Sequence, residues 1–292
     1  MATEKQVNVT AVCRQLGYSK QAYYKSLHNQ TVKCFYKEIV KDKVLAIRKQ
    51  MPRLGVRKLY HLLKEELIRE KLSIGRDKLF CLLKQEGLLV VRRKKYTKTT
   101  NSKHWMRKYP NIVKGLQVKR PEQVWVADIT YLDVGQDHCF LHLVTDAYSR
   151  KIVGYKVSND LSGVHTLMAL QTAIKNRQYD KPLIHHSDRG LQYCSSAYVN
   201  QLQSNQISIS MTEDGSPYDN AIAERVNGIL KDEFGLDEPF EDIAQAELQT
   251  RQAIKLYNQA RPHMSCSMLT PDKMHKQLCM KSKNWHKKAQ QP

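Results

Sequence analysis

The chain has 292 residues, enough for one or two hydrophobic cores, and a formal charge of +20. No run approaches the ~20 apolar residues of a membrane span, and the start lacks the apolar core of a signal peptide. The charge is one-sided: residues 1–120 carry 30 Lys/Arg against 8 Asp/Glu, and the other 172 residues carry 18 against 20.

A polyanion is the natural partner of such a basic arm, because counterions released from phosphates drive the association. The seven cysteines (Cys13, Cys34, Cys81, Cys139, Cys194, Cys266 and Cys279) are dispersed, without close pairs at structural-zinc spacing. That usage fits a reducing, cytoplasmic setting and no membrane.

Residues 8–26 predict a short helix, a turn at Gly17-Tyr18-Ser19 and a second helix capped by Ser19, a pattern resembling a helix-turn-helix. Residues 36–50 form a basic amphipathic helix, broken by Met51-Pro52-Arg53-Leu54-Gly55. A helix over 56–68 follows, then one over 76–86, with Ser73 as its cap and Gly87 as its stop. Their leucines are core; Arg53, Arg57, Lys58, Arg76 and Lys78 are the candidates to meet phosphates. Residues 91–120 lose apolar periodicity and concentrate Arg92-Arg93-Lys94-Lys95, which predicts a linker that tracks a phosphate backbone.

From Gln123 the pattern changes to strands at 125–131, 138–145 and 152–157, with Tyr148-Ser149-Arg150 as the second turn. A helix over 164–174 capped by Ser162, a strand at 183–186, a helix over 196–203 and a strand at 207–211 follow. A helix over 222–234 comes next, and another over 242–257. Hairpins first and crossovers afterwards imply an α/β fold with a mixed five-stranded sheet and helices on its faces. The boundaries expected are a small helical unit at 1–30, a basic helical DNA-binding module at 31–95, a basic linker at 96–120, a catalytic domain at 121–275 and a basic tail at 276–292.

Three carboxylates stand out. Asp128 lies on the first strand, Asp188 just past the fourth, and Glu224 early in the helix that follows the turn-rich 214–220. If the first and fourth strands are neighbours, both aspartates reach one sheet edge. Glu224, Asn227 and Lys231 share a helix face. An oxygen-only triad suits two hard cations, Mg²⁺ or Mn²⁺, that activate one oxygen and stabilise another. Asp128 would bridge two ions, with Asp188 and Glu224 holding one each. Of His185 and His186, adjacent on a strand, at most one can face such a site. Asp146 is read as structural, capping the Tyr148-Ser149-Arg150 turn.

The motifs resemble the integrase-type transposases encoded by the second open reading frame of bacterial insertion sequences, relatives of retroviral integrase. Thirty-five residues separate Asp188 from Glu224, the family's Asp-Asp-35-Glu spacing. Trp125-x-x-Asp128-Ile129-Thr130-Tyr131, Val144-Thr145-Asp146-Ala147-Tyr148-Ser149-Arg150 and His186-Ser187-Asp188-Arg189-Gly190 match its blocks. So do Ser216-Pro217-x-Asp219-Asn220-Ala221-x-Ala223-Glu224, Lys231 seven residues on, Tyr257-Asn258-x-x-Arg261-Pro262-His263 and Leu269-Thr270-Pro271.

The resemblance implies a ribonuclease-H-like catalytic core preceded by a basic, all-helical helix-turn-helix region. It implies Asp128, Asp188 and Glu224 as catalytic metal ligands and Lys231 as a DNA contact, with Arg189, Asn220, Arg150, Tyr218 and Arg261 as supporting DNA contacts. The expected partners are terminal inverted repeats, target DNA, further copies of the chain on DNA and the upstream-frame product of the same element. The expected reaction is metal-dependent cleavage and strand transfer at the bacterial nucleoid. A nuclease that cleaves without joining, or a non-catalytic DNA-binding regulator, is the alternative. Two family features are missing: sustained heptads and the zinc-binding His-His-Cys-Cys module of retroviral integrases.

Overall fold

The computed structural model describes residues 8–91, 105–213 and 220–278. The Arg92–Lys95 cluster, Tyr218 and the tail beyond residue 278 lie outside the described residues. The chain divides into two compact units, one from residues up to Lys49 with Gly55–Leu89, the other from Gln50–Leu54 with Val90 onward.

In the first unit, the Asn8 side chain accepts from the Thr10 and Ala11 amides at 3.1 and 3.4 Å and starts α1 (Val9–Gln15). Ser19 Oγ accepts from the Ala22 amide at 3.1 Å, as its sequence position predicts, and starts α2 (Lys20–Arg48). The two helices expected across residues 20–50 are one continuous helix of 29 residues, and the boundary expected near residue 30 falls inside it. No glycine or proline occurs between Gly17 and Pro52, so nothing in the sequence stops the helix. α3 (Val56–Arg69) and α4 (Arg76–Gln85) complete the unit. Gly75, not Ser73, occupies the α4 N-cap, and no side chain caps it. Val40, Val44, Leu59, Leu63, Leu67, Leu79 and Leu83 are buried and hold the unit together. Lys43 bridges Glu66 and Glu70 at 2.6 and 2.8 Å, a surface contact that adds little to that burial.

The second unit is a mixed sheet with strand order β3-β2-β1-β4-β5. β1 (Val124–Val134), β2 (Asp137–Asp146) and β3 (Ile152–Ser158) form an antiparallel meander; β4 (Leu183–Ser187) and β5 (Ile207–Met211) run parallel to β1. The parallel strands are reached by crossovers through α5 (Gly163–Lys175) and through α6 (Leu191–Cys194) with α7 (Ser196–Ser204). This is the ribonuclease-H-like arrangement the motifs implied. Trp125, Ala127, Val144 and Val153 face one way, onto Ala169, Leu170 and Ala173 of α5 and Tyr198 and Leu202 of α7. Val124 and Val126 face the other way, onto Ala223 of α8 (Ala221–Phe234). On β3 a Cβ at Gly154 would lie 2.2 Å from the Ala169 carbonyl oxygen, so only glycine lets α5 sit this close. Among the described residues no helix is long and apolar enough to cross a membrane.

The C-terminal part ends in α9 (Ile243–Gln259) and α10 (Pro271–His275) and clamps the β2–β3 turn. Tyr257 Oη donates to the Arg150 carbonyl at 2.9 Å. Asn258 pairs with both backbone groups of Ile152, at 3.0 and 2.9 Å. That pairing covers the edge of β3. Asp146 is fully buried and accepts from the Ser149 amide and hydroxyl and from the Glu122 amide, at 2.8, 2.6 and 2.8 Å. It therefore caps the turn, as expected, and also fixes the entry to β1.

His275 of α10 closes this network. Its Nδ1 lies 2.9 Å from Ser149 Oγ and its Nε2 3.3 Å from Glu122 Oε1. The Ser149 hydroxyl proton already goes to Asp146, so both imidazole nitrogens act as donors, which is the charged form. Burial alone would lower the imidazole pKa, but the Asp146 and Glu122 carboxylates outweigh it and hold the value above the ordinary 6.5. A raised value means stability that is complete below 6.5 and is lost as pH rises through the folded value. His275→Gln keeps polar atoms and removes the charge. Wild type is therefore expected to unfold at higher temperature than His275→Gln in acid and neutral buffer, with the gap closing as pH rises. A gap independent of pH in a thermal unfolding series would contradict the charged network.

Candidate active site

The β1–β4 pairing sets the site. Val124, Trp125 and Val126 pair in parallel with Ile184, His185 and His186. Two residues further along each strand, the same register brings Asp128 level with Asp188, just beyond the end of β4. Side chains alternate, so Asp128 shares the face of Val124 and Val126, the face that α8 covers. Both aspartates are half-buried and line one cleft of about 230 Å³, with Thr130, Tyr131, Leu191 and Gln192. Asp188 Oδ1 accepts from the Gly190 amide at 3.0 Å, which shapes the turn after β4.

α8 is docked on β1 by polar contacts in series. Asn220 Nδ2 donates to the Ala127 carbonyl at 3.0 Å, and Asn227 Nδ2 donates to Asp128 Oδ2 at 2.7 Å. Lys231 Nζ lies 4.7 Å from the centroid of the Tyr131 ring. Glu224, in the first turn of α8, is exposed. Asn227 is legible in sequence only as a neighbour of Glu224 on one helix face; its bond to Asp128 needs the tertiary fold.

Burial, and then the Asp188 charge, push the Asp128 carboxyl up to about 7. The Asn227 and Ile129 hydrogen bonds pull the other way, and Glu224 adds the smallest upward push. Two half-buried carboxylates, one raising the proton affinity of the other, form an oxygen donor set whose repulsion a hard cation relieves. Among the described residues no three His, Cys, Asp or Glu side chains converge closely enough to form a three-ligand metal group. The fold thus brings Asp128 and Asp188 together and leaves Glu224 outside that pair.

Several expected contacts have other duties. Arg261 is 1% exposed and forks onto Glu233 with two 2.8 Å bonds, which ties the end of α9 to α8. Arg53 pairs with Asp237, and its amide donates to the Glu233 carbonyl at 3.2 Å. Arg150 has φ of 65° in the β2–β3 turn and donates to the Ala147 carbonyl and, at 3.4 Å, to Ser265 Oγ. Asn220 is buried at the α8 N-cap, and Lys58 is buried in α3. Arg57, Arg76 and Lys78 are exposed, with Arg76 bonded to Asp77 at 2.9 Å. Arg189 is half-buried next to Asp188. Neither strand histidine reaches the cleft: His185 Nε2 meets Tyr198 Oη and His186 Nδ1 meets Ser210 Oγ, each at 2.9 Å.

The raised value of Asp128 makes a signed prediction. Between its ordinary 3.8 and about 7 the folded state keeps a proton that the unfolded state has lost, so stability falls as pH rises across that window. In chelator above pH 7, Asp128→Asn is expected to unfold at a higher temperature than wild type, with convergence near pH 4. Mg²⁺ should then raise the wild-type unfolding temperature and leave the variant unchanged. A wild type more stable than Asp128→Asn in alkaline chelator would contradict the repulsive pair.

Comparison with known proteins shows the family. Sequence models described as integrase core domain match residues 118–217 and 205–271. The chain is 30% identical to the insertion element IS600 31 kDa protein of Shigella sonnei, over 89% of this chain and 96% of that one. It is 32% identical to the transposase for insertion sequence element IS629 of Shigella sonnei, over 71% of this chain and 68% of that one. It is 27% identical to transposase InsF for insertion sequence IS3A of Escherichia coli K12, over 92% and 94%. Among solved structures, the HTLV-2 integrase catalytic core domain in complex with magnesium is 23% identical, covers 53% of this chain and 97% of that chain, and has a TM-score of 0.44. The chain belongs to the family of bacterial insertion-sequence transposases built on the integrase core domain.

Proposed function

We propose that this protein is a DNA transposase that cleaves the ends of its insertion element and joins them to target DNA. The observation that carries this reading is the side-by-side placement of Asp128 and Asp188 on the face covered by α8, the helix that bears Glu224. Asp128, Asp188 and Glu224 would hold Mg²⁺ or Mn²⁺, two ions in the full site. Bound there, the metal supplies charge stabilisation and an acidified oxygen nucleophile.

The residues themselves do the positioning. Asn227 fixes the Asp128 carboxylate by its 2.7 Å bond to Oδ2. Lys231, held over Tyr131, would meet a phosphate near the cleaved bond. In cleavage, water attacks phosphorus, the bond to the 3′-oxygen breaks and a 3′-hydroxyl is released. In joining, that hydroxyl attacks a target phosphodiester, loses its proton and displaces the target strand's 3′-oxygen. No covalent bond to the protein is needed. The partners of this reading are the terminal inverted repeats, target DNA, further copies of the chain and the upstream-frame product.

A strand-transfer assay tests it, with a labelled element end, a plasmid target and Mg²⁺ or Mn²⁺. Wild type is expected to give joined product. Asp188→Ala should give neither cleavage nor joining, while DNA affinity stays nearly unchanged. Equal activity in Asp188→Ala would sink the reading; cleavage without joining by wild type would favour a nuclease.

The basic arm makes a separate prediction. Neutralising Arg92, Arg93, Lys94 and Lys95 should weaken binding to all DNA sequences alike. It should also flatten the salt dependence, by about 0.9 in log–log slope for each phosphate left without its cation. A weakening confined to one sequence in a filter-binding series would argue for base readout instead.

A further inference from the structure

We propose that Trp105 is a stacking platform for an unpaired nucleobase of the DNA strand that enters the Asp128–Asp188 cleft. The inference deepens the transposase reading and rests on it for the identity of the ligand. Trp105 is 90% exposed, whereas Trp125 is fully buried. An exposed indole offers a large planar apolar face with a polar N–H edge to a ligand.

The segment that carries it is anchored. Met106 and Tyr109 pack onto the core that includes Tyr193, Cys194, Tyr198 and Met211. The Pro110 carbonyl accepts from the Met211 amide at 3.4 Å, and the Ile112 amide donates to Ser210 Oγ at 3.1 Å. These anchors lead to the cleft. Met211 pairs with Ser187, the residue before Asp188, and Tyr193 of α6 lines the cleft itself. The Cys194 thiol, pushed up first by burial, also feels the charges of Asp188, Lys108 and Arg189, so Lys108 lies within electrostatic reach of the same side chain as Asp188.

The chemistry of the flanks selects the ligand. Residues 105–120 contain five Lys/Arg and no Asp/Glu. Arg107 and Lys108 are exposed beside the indole, and the Arg107 guanidinium lies 5.2 Å from the centroid of the Tyr109 ring. A planar π surface next to cations matches a nucleobase next to phosphates. Stacking needs a free base face, so the ligand is an unpaired base at an opened or tailed end, not an intact duplex.

The test compares wild type, Trp105→Ala and Trp105→Phe, binding a blunt duplex and the same duplex with a short oligothymidine tail. Intrinsic fluorescence and gel shift serve as readouts. Wild type should prefer the tailed duplex and show fluorescence quenching on binding it. Trp105→Ala should lose about tenfold in affinity for the tailed duplex and almost nothing for the blunt one, and Trp105→Phe should retain most of the preference. Equal losses on both duplexes, or no loss on the tailed one, would overturn the proposal. The Asp188→Ala protein, run in parallel, should keep the tail preference. If it also kept strand transfer, the catalytic reading would fail while the stacking result stood.

Discussion

Like charge held at close quarters is the constraint on which the rest of the second unit depends. Asp128 and Asp188 reach the same level because β1 and β4 pair in parallel in one register. A slip of one residue would turn either carboxylate to the opposite face of the sheet, into the apolar layer under α5 and α7. Burial first, and then the Asp188 charge, raise the proton affinity of Asp128, and Asn227 offsets part of this by donating to one of its oxygens. α8 therefore docks through the same contact that steadies the carboxylate, and Glu224 rides on that helix one turn away.

β1 is held at both ends by parts of the chain far away in sequence. At its start, Glu122 is fully buried and accepts from the Gln178 and Tyr179 amides at 2.9 and 3.0 Å, while its own amide donates to Asp146. The C-terminal segment closes on the same place through His275, Tyr257 and Asn258. At the far end the Phe240 amide donates to the Asp133 carbonyl and the Gly135 amide to the Phe240 carbonyl, both at 2.8 Å. The family motif from Tyr257 to His263 thus acts as a brace for the β2–β3 turn and, through Arg261 and Glu233, for α8.

Much of this is legible in the sequence, for identifiable reasons. Alternating and helical apolar patterns mark every strand of the sheet and the helix that bears Glu224, because each element buries one face. The carboxylates are legible from their places at strand ends and their spacing. What escapes is of three kinds. Short elements such as α6 and α10 have too few residues for a period to register. The fates of Arg53, Arg150 and Arg261 depend on partners that no local pattern reveals; Asp237 lies 184 residues beyond Arg53. An arginine near a family motif looks the same in sequence whether it meets a phosphate or a buried glutamate. The continuous α2 is a third case, in which fading apolar periodicity reads as a break although no breaking residue is present.

The most direct test of the central claim is anomalous diffraction from crystals of the protein grown with Mn²⁺. An anomalous peak is expected within coordination distance of both the Asp128 and Asp188 carboxylates, with Glu224 drawn to the same site. Mn²⁺ bound only elsewhere, with the two aspartates free of it at saturating metal, would contradict the claim.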